Sequence, residues 1–433
     1  MGVLIPRVFP GERTRASAAR RTFRAGTFVA AVVIAATTFE ACTRGDGATS
    51  TAQELRAMTW PDIEASARGQ TVTVRMWRGD QSINQFMDTW VAPRLANAYG
   101  ITLRTVEGQG PEIVNALMLE RNAHANGTAD LVWINGETFS NLRRENLLLG
   151  PWADRVPSAA LLDSASPIIM RDFEQALDGY ELPWGTVQAA LIYDTLRTPN
   201  PPRTFDELAR WIHAHQGRFT HDQAFTGVTF LKALMYSLNG GVSEFQGGFN
   251  EPVYTRASAK VWQWLNDVRG DFWRGGRSYP AGVAELHRLF ANGEVDFTMS
   301  NNQNEVITKV RQGILPPSSR ALVLRDGTIA NAHYLGIPAT APHAAAAMVV
   351  ANFLLSIEAQ YEKQRPEVWA DGTVLSRPRL SPDWQRRFAA LARESNAIPP
   401  DTLAKYARPE IAPQYHERLS ADWRDRIRDA AKR

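Results

Sequence analysis

Between Leu182 and Asp194 the chain reads LPWGTVQAALIYD. Pro183 and Gly185 hold Trp184 on a stiff turn with its ring free to face a cavity. A core tryptophan at the start of a strand has the same pattern. Val187 to Tyr193 is then a nearly continuous apolar run, the signature of a strand buried on both faces. One strand–helix series precedes this run, a second follows it, and near Asn331 the chain returns. That order predicts two hinged lobes with Trp184 at the crossing.

The length of 433 residues suits two domains. Thirteen tryptophans favour aromatic-lined surfaces or pockets. The net charge of +3 comes from one end, because residues 1–42 hold six arginines against Glu12 and Glu40. The body is therefore close to neutral and carries no nucleic-acid footprint. With Cys42 as the single cysteine, neither a disulfide framework nor a cysteine-based metal site can form within one chain.

Arg20-Arg21-Thr22-Phe23-Arg24 precedes an uncharged apolar segment, Ala25 to Phe39. A basic stretch before a hydrophobic segment of about 15 residues, short of the ~20 needed to span a membrane, predicts an export signal. The paired arginines resemble a twin-arginine signal; an ordinary Sec signal is the alternative. Cys42 follows in Phe39-Glu40-Ala41-Cys42, which resembles a lipobox at Ala41 but departs from one at Phe39 and Glu40. Lipidation of Cys42 would anchor the chain to the membrane; an incidental cysteine is the alternative. Thr43 to Gln53 would then be a polar tether.

In the body, Thr71 to Met76 alternates as a strand and leads through Trp77 and Gly79 to a helix from Ser82 to Tyr99, capped by Asp80 or Ser82. Gly79 permits a sharp turn with the backbone close to a ligand. Ile101 to Val106, a helix from Pro111 to about Asn126, and the strand Ala129 to Ile134 follow, the last ending in Asn135-Gly136-Glu137. Three such units predict a mostly parallel sheet, with ligands beyond the carboxyl ends of its strands. Trp77, Gly79, Asp80, Asn135, Gly136 and Glu137 fall at those ends. Later, a strand is read near Arg218 to Thr220 and another over Val295 to Met299. Asn301 and Asn302 follow it and suit either ligand hydrogen bonding or an Asx turn. Ala321 to Leu324 and Ile329 to Leu335 read as strands returning to the first lobe, with Asn331 and His333 on the return. The tail from Pro382 reads as a helical wrap on the first lobe. The reading divides the chain into residues 1–42 (export), 43–69 (tether and first helix), 70–188 with 328–433 (first lobe) and 189–327 (second lobe).

Leu286 to Ser300 (LHRLFANGEVDFTMS), Gly336 to Pro342 (GIPATAP) and Val349 to Gln360 (VVANFLLSIEAQ) together resemble the bacterial ABC-transporter solute-binding proteins. RGDQSIN (Arg78 to Asn84), ADLVWINGETF (Ala129 to Phe139), LPWGTVQ (Leu182 to Gln188) and NAHYLGIPA (Asn331 to Ala339) resemble the YnjB-type periplasmic members. The resemblance runs from about Trp60 to Leu375. It implies a type 2 periplasmic-binding-protein-like α/β fold of two lobes, each a mostly parallel sheet flanked by helices. It also implies a periplasmic or cell-envelope monomer that closes on a small solute and delivers it to an ABC permease and ATPase. By family position the cleft would be lined by Trp77, Gly79, Asp80, Asn135, Gly136, Glu137, Trp184, Gly185, Asn301, Asn302, Asn331 and His333. Trp184 and Trp77 would stack on the solute, Asp80 and Glu137 would supply charge, and the asparagines would supply hydrogen bonds.

Aromatic faces with carboxylates suit a cation, of polyamine or thiamine-like kind. A sugar would use the same residue types. Alternatively Asp80 is only a helix cap and Glu137 points to solvent. No adjacent tyrosine pair suggests ferric iron. The rival class is an exported enzyme working with cleft carboxylates; a sensor or adhesion module of the same fold is a third. No G-x-S-x-G, H-E-x-x-H or Walker-type loop is present, and no catalytic, metal or cofactor residue is assigned.

Overall fold

The computed structural model describes residues 47–394 and 397–429. The export reading, with Arg20, Arg21 and Cys42, lies outside the described residues. Strands β1 (Thr71–Met76), β2 (Thr102–Glu107) and β3 (Leu131–Ile134) form parallel pairs, β1 with both β2 and β3. Alternation does the work in β1: Val72, Val74 and Met76 point into the core while Thr71 is exposed. The helix after β1 runs continuously from Gln81 to Tyr99, with a π-helical stretch at Phe86–Val91. Asp80 caps its start and Gly100, with φ 66°, ends it.

After a small hairpin, β4 (Arg171–Asp172) and β5 (Gln175–Ala176), come β6 (Glu181–Gln188) and β7 (Ala190–Asp194). The apolar run is thus two strands in two sheets. The crossing is at Ala189, not at Trp184, which lies inside the first lobe. β8 (Phe297–Ser300) and β9 (Ser319–Leu322) flank β7. β10 (Thr328–Gly336) re-enters the first sheet between β6 and β3, and β11 (Ala407–Arg408) joins its end. The first sheet is mixed, with order β11-β10-β3-β1-β2 and β6 on β10.

Four expectations are corrected. The second sheet is antiparallel throughout, because β7 leaves the hinge while β9 leads back to it. Ala321 and Leu322 belong to β9 in the second lobe; only β10 returns to the first. Arg218 to Thr220 is not a strand: Asp296 donates its N–H to the Arg218 carbonyl at 2.8 Å, but no ladder follows. The end of the tail does not wrap on the first lobe. Ile411, Tyr415, Leu419, Trp423 and Ile427 are buried in the second core with Leu234, Leu265 and Phe297. The tail therefore crosses between lobes near Pro409, because its aromatic face finds apolar partners there. Phe388, by contrast, packs in the first core with Val74 and Met348.

No single helix among the described residues is long and apolar enough to cross a membrane.

Candidate functional site

The two lobes meet through paired polar groups. Asp80 Oδ1 accepts the Ser82 N–H at 2.7 Å, and its Oδ2 accepts from Lys309 Nζ of the second lobe at 2.7 Å. Asp80 is therefore both a helix cap and half of a buried interlobe ion pair. Gln312 Nε2 donates to Ser82 Oγ at 2.8 Å, and Thr308 Oγ1 to the Pro366 carbonyl at 3.0 Å. Asn302 Nδ2 reaches the Ala370 carbonyl at 3.4 Å, while its Oδ1 accepts the Asn304 N–H at 2.9 Å. Asn301 Nδ2 donates to Thr226 Oγ1 at 3.0 Å within the second lobe. Asn302 thus serves as both turn cap and interlobe contact, whereas Asn301 bonds only within its own lobe. Trp77 is half-buried and its indole lies against Gly79, where a Cβ would clash with it. Asn135 is half-buried at the end of β3.

Trp184, Gly185 and His333 form a second group, inside the first lobe. Trp184 is 1% exposed. Its ring is covered by Trp133 at 5.1 Å, His333 at 5.3 Å and Trp369 at 5.3 Å between centroids. His333 Nε2 lies 3.0 Å from Asp371 Oδ2, which also pairs with Lys363. Burial pushes the Asp371 carboxyl up, but His333 and Lys363 overcome it and hold the group below its ordinary range. Gly185 is required here, since a Cβ would overlap His333 Nε2 and Asp371 Oδ2. The geometry leaves no open face on Trp184 for a solute to stack against.

The third group surrounds Glu137 and is the one that borders a cavity. Gly136 donates its N–H to Asp172 Oδ2 at 2.6 Å. Glu137 Oε2 lies 3.7 Å from His416 Nε2. Asn331 Nδ2 donates to Glu410 Oε1 at 3.0 Å, and Glu410 pairs with Lys232. Lys232 Nζ lies 4.3 Å over the Phe173 ring and 5.8 Å from that of Phe225. Asp172, Phe173, Asn331 and Glu410 line a cavity of 660 Å³ between the β4–β5 hairpin, the hinge strand, the tail and the loop at Gly247. Phe173 and Glu174 fill the hairpin turn with φ of 46° and 66°, a pair of positive angles that Asn-Gly would adopt without strain. Strain of this kind persists where surroundings fix it, and here it sets Phe173 into the lobe boundary. The Glu174 carboxylate accepts the Gly247 and Gly248 N–H groups at 3.2 Å each, closing the boundary on that side.

The charge is unbalanced. Asp172, Glu181, Glu410 and Lys232 are all buried, and both Glu181 oxygens lack a hydrogen-bond partner. Burial, reinforced by the neighbouring carboxylates, pushes Asp172 and Glu181 well above the usual range. Burial pushes Glu137 up to about 7 against the pull of Lys232. The side chain keeps 24% of its surface, while Oε2 is sealed without a hydrogen-bond partner. An acid that holds its proton more tightly folded than unfolded loses stability as pH rises, here from 4.5 to about 7. The window is worth about 3 kcal/mol. Glu137→Gln is therefore expected to raise the Tm of the solute-free protein at about pH 8 and to leave it nearly unchanged at about pH 4.5. Equal shifts at both pH values would contradict this.

Of the twelve residues expected at the site, Gly136, Glu137 and Asn331 belong to the carboxylate group, and Asn331 alone of them lines the cavity. Asp172, Phe173, Lys232, Glu410 and His416 escaped the sequence reading. One signal was available: Lys232 is the sole charge in FTGVTFLKALMYSL, the helix Phe225–Leu238. A charge inside an apolar helix needs a partner.

Comparison with known proteins agrees with this architecture. The family model for bacterial extracellular solute-binding proteins matches residues 81–390. The chain is similar to protein YnjB of Escherichia coli (strain K12), with 35% identity over 349 residues, covering 79% of this chain and 89% of that protein. In fold it is similar to a putative spermidine/putrescine ABC transporter from Listeria monocytogenes, at TM-score 0.57 and 16% identity, over 82% of this chain and 98% of that one. It is likewise similar to iron-bound HitA from Pseudomonas aeruginosa, at TM-score 0.55 and 15% identity, over 81% and 98%.

Proposed function

The chain belongs to the bacterial extracellular solute-binding proteins, and from that premise we propose that its solute is a small organic cation taken into the cavity beside Asp172, Phe173, Asn331 and Glu410. Outside the cytoplasm it serves as the solute-binding component of an ABC importer and delivers the solute to a membrane permease with its ATPase. Members of this family bind solutes and do not transform them.

The observation that carries the cation reading is the surplus of carboxylates: half-buried Glu137 and buried Asp172 and Glu410 share one lysine, and buried Glu181 beside them has neither oxygen hydrogen-bonded. Carboxylates taken out of water without a counter-charge are costly, and an added cation removes that cost. Phe173 adds a π face of the kind that attracts ammonium groups. One structural relative is described as a putative spermidine/putrescine transporter, which fits this class; another holds iron, so the fold alone does not choose the solute. Asp80 and Asn302 act in lobe closure rather than in solute contact, and Asn301 is held within the second lobe. The protein works as an exported monomer, directed by the paired Arg20 and Arg21 and anchored through lipidated Cys42.

The test is native mass spectrometry on protein purified without refolding, with a thermal-shift panel of amines, thiamine, sugars and amino acids. A co-purified cation, or a Tm rise confined to cationic compounds, is the expected result. A rise with sugars or organic anions alone would overturn the cation reading.

A further inference from the structure

Lys232 sits in a seat more elaborate than one ion pair requires. It is 0% exposed, on a helix whose neighbours Leu231, Ala233, Leu234 and Met235 are all in the second core. Methionine would fill the same volume without desolvating a charge. Its ammonium meets Glu410, the face of Phe173 at 4.3 Å and the ring of Phe225 at 5.8 Å. His416 closes the cage, 5.0 Å from Phe225 and 6.0 Å from Phe173 between centroids. Burial and the nearby Lys232 keep His416 uncharged, so this wall is a neutral ring. Three rings and a carboxylate are what a primary ammonium needs for recognition out of water.

The seat is assembled from both lobes. Phe173 and Asp172 come from the first-lobe hairpin, and Glu137 follows β3. Lys232 and Phe225 come from the second core's helix, and Glu410 from the crossing tail. An opening of the lobes would withdraw the Lys232 ammonium from Phe173, which stands on the other lobe.

We propose that Lys232 is the protein's own stand-in for the solute: its ammonium occupies the seat when the cleft is empty, holds the lobes together, and competes with the ammonium of an incoming amine. The proposal rests on the cation reading above and narrows it to amines carrying a primary or secondary ammonium. A competing internal cation lowers apparent affinity by the fraction of molecules in which it holds the seat.

Amine rescue provides the test. In Lys232→Ala the side chain no longer reaches the seat. Methylammonium is expected to raise the Tm of this variant in a concentration-dependent way, relative to equal sodium, and to leave wild type unmoved. In Lys232→Met, which keeps the packing, 1,4-diaminobutane is expected to bind about tenfold more tightly than to wild type, by calorimetric titration. Methylammonium acting on neither protein, or equally on both, overturns the stand-in. Weaker diamine binding by Lys232→Met also overturns it, since Lys232 would then contribute to solute binding instead of competing. If no amine in the series binds wild type or Lys232→Met, the cation reading falls, and rescue of Lys232→Ala alone would still establish the ammonium seat.

Discussion

Asp371→Ala is expected to cost about 3–5 kcal/mol of folding stability, because it strands a buried lysine. Asp371 is 0% exposed and pairs with Lys363, itself buried, and with His333 at 3.0 Å. Lys363 also donates to the Gly372 carbonyl at 2.7 Å. Burial already holds its pKa below the ordinary lysine value while Asp371 supports the charge. Without the carboxylate, the ammonium loses its counter-ion in a wall of tryptophans, with Trp369 at 5.4 Å. Replacing both partners with apolar residues, as in Lys363→Met with Asp371→Leu, removes the stranded charge and should recover most of the loss. Denaturant midpoints measure both. A loss under about 1 kcal/mol in Asp371→Ala would contradict the assignment.

Trp184→Ala is expected to cost a similar amount, about 3–5 kcal/mol, by opening a cavity in the first core. The ring is 1% exposed and enclosed by Trp133, His333 and Trp369. Its stacking surfaces are occupied by the protein. Trp184→Phe should therefore keep the solute affinity of wild type while lowering the Tm. A variant of unchanged Tm that no longer binds solute would restore Trp184 to the solute's surface.

That contrast marks how far the sequence was legible. Local rules carried β1, the Asp80 cap and the helix end at Tyr99, since each depends on a few neighbouring residues. The two-lobe order was legible because apolar runs and turns repeat along the chain. Trp184 does not mark the crossing: Gln188 pairs in one sheet and Ala190 in the other, within a run that is apolar but for Gln188. Trp184 carried the look of a cleft residue because Pro183 and Gly185 flank it. Gly185 is instead small to admit His333 and Asp371, which lie 148 and 186 residues further on and have no local signature.

The carboxylate site shows the same limit. Glu137 was found from its place at a strand end and Asn331 from its place on the returning strand, whereas Asp172, Glu410 and Lys232 come together only through tertiary packing. The tail reads from sequence as a helical wrap on the first lobe, and its short strand β11 does lie on β10. Its aromatic residues then turn to the second core, and this crossing brings Glu410 to the hinge.

A crystal structure of the protein with its co-purified solute bound tests the central claim most directly. The account predicts a cationic nitrogen within hydrogen-bond distance of Asp172 or Glu410, with its carbon skeleton against Phe173. A solute stacked between Trp77 and Trp184 and bonded to Asp80, or an anionic group bonded to Lys232, would contradict it.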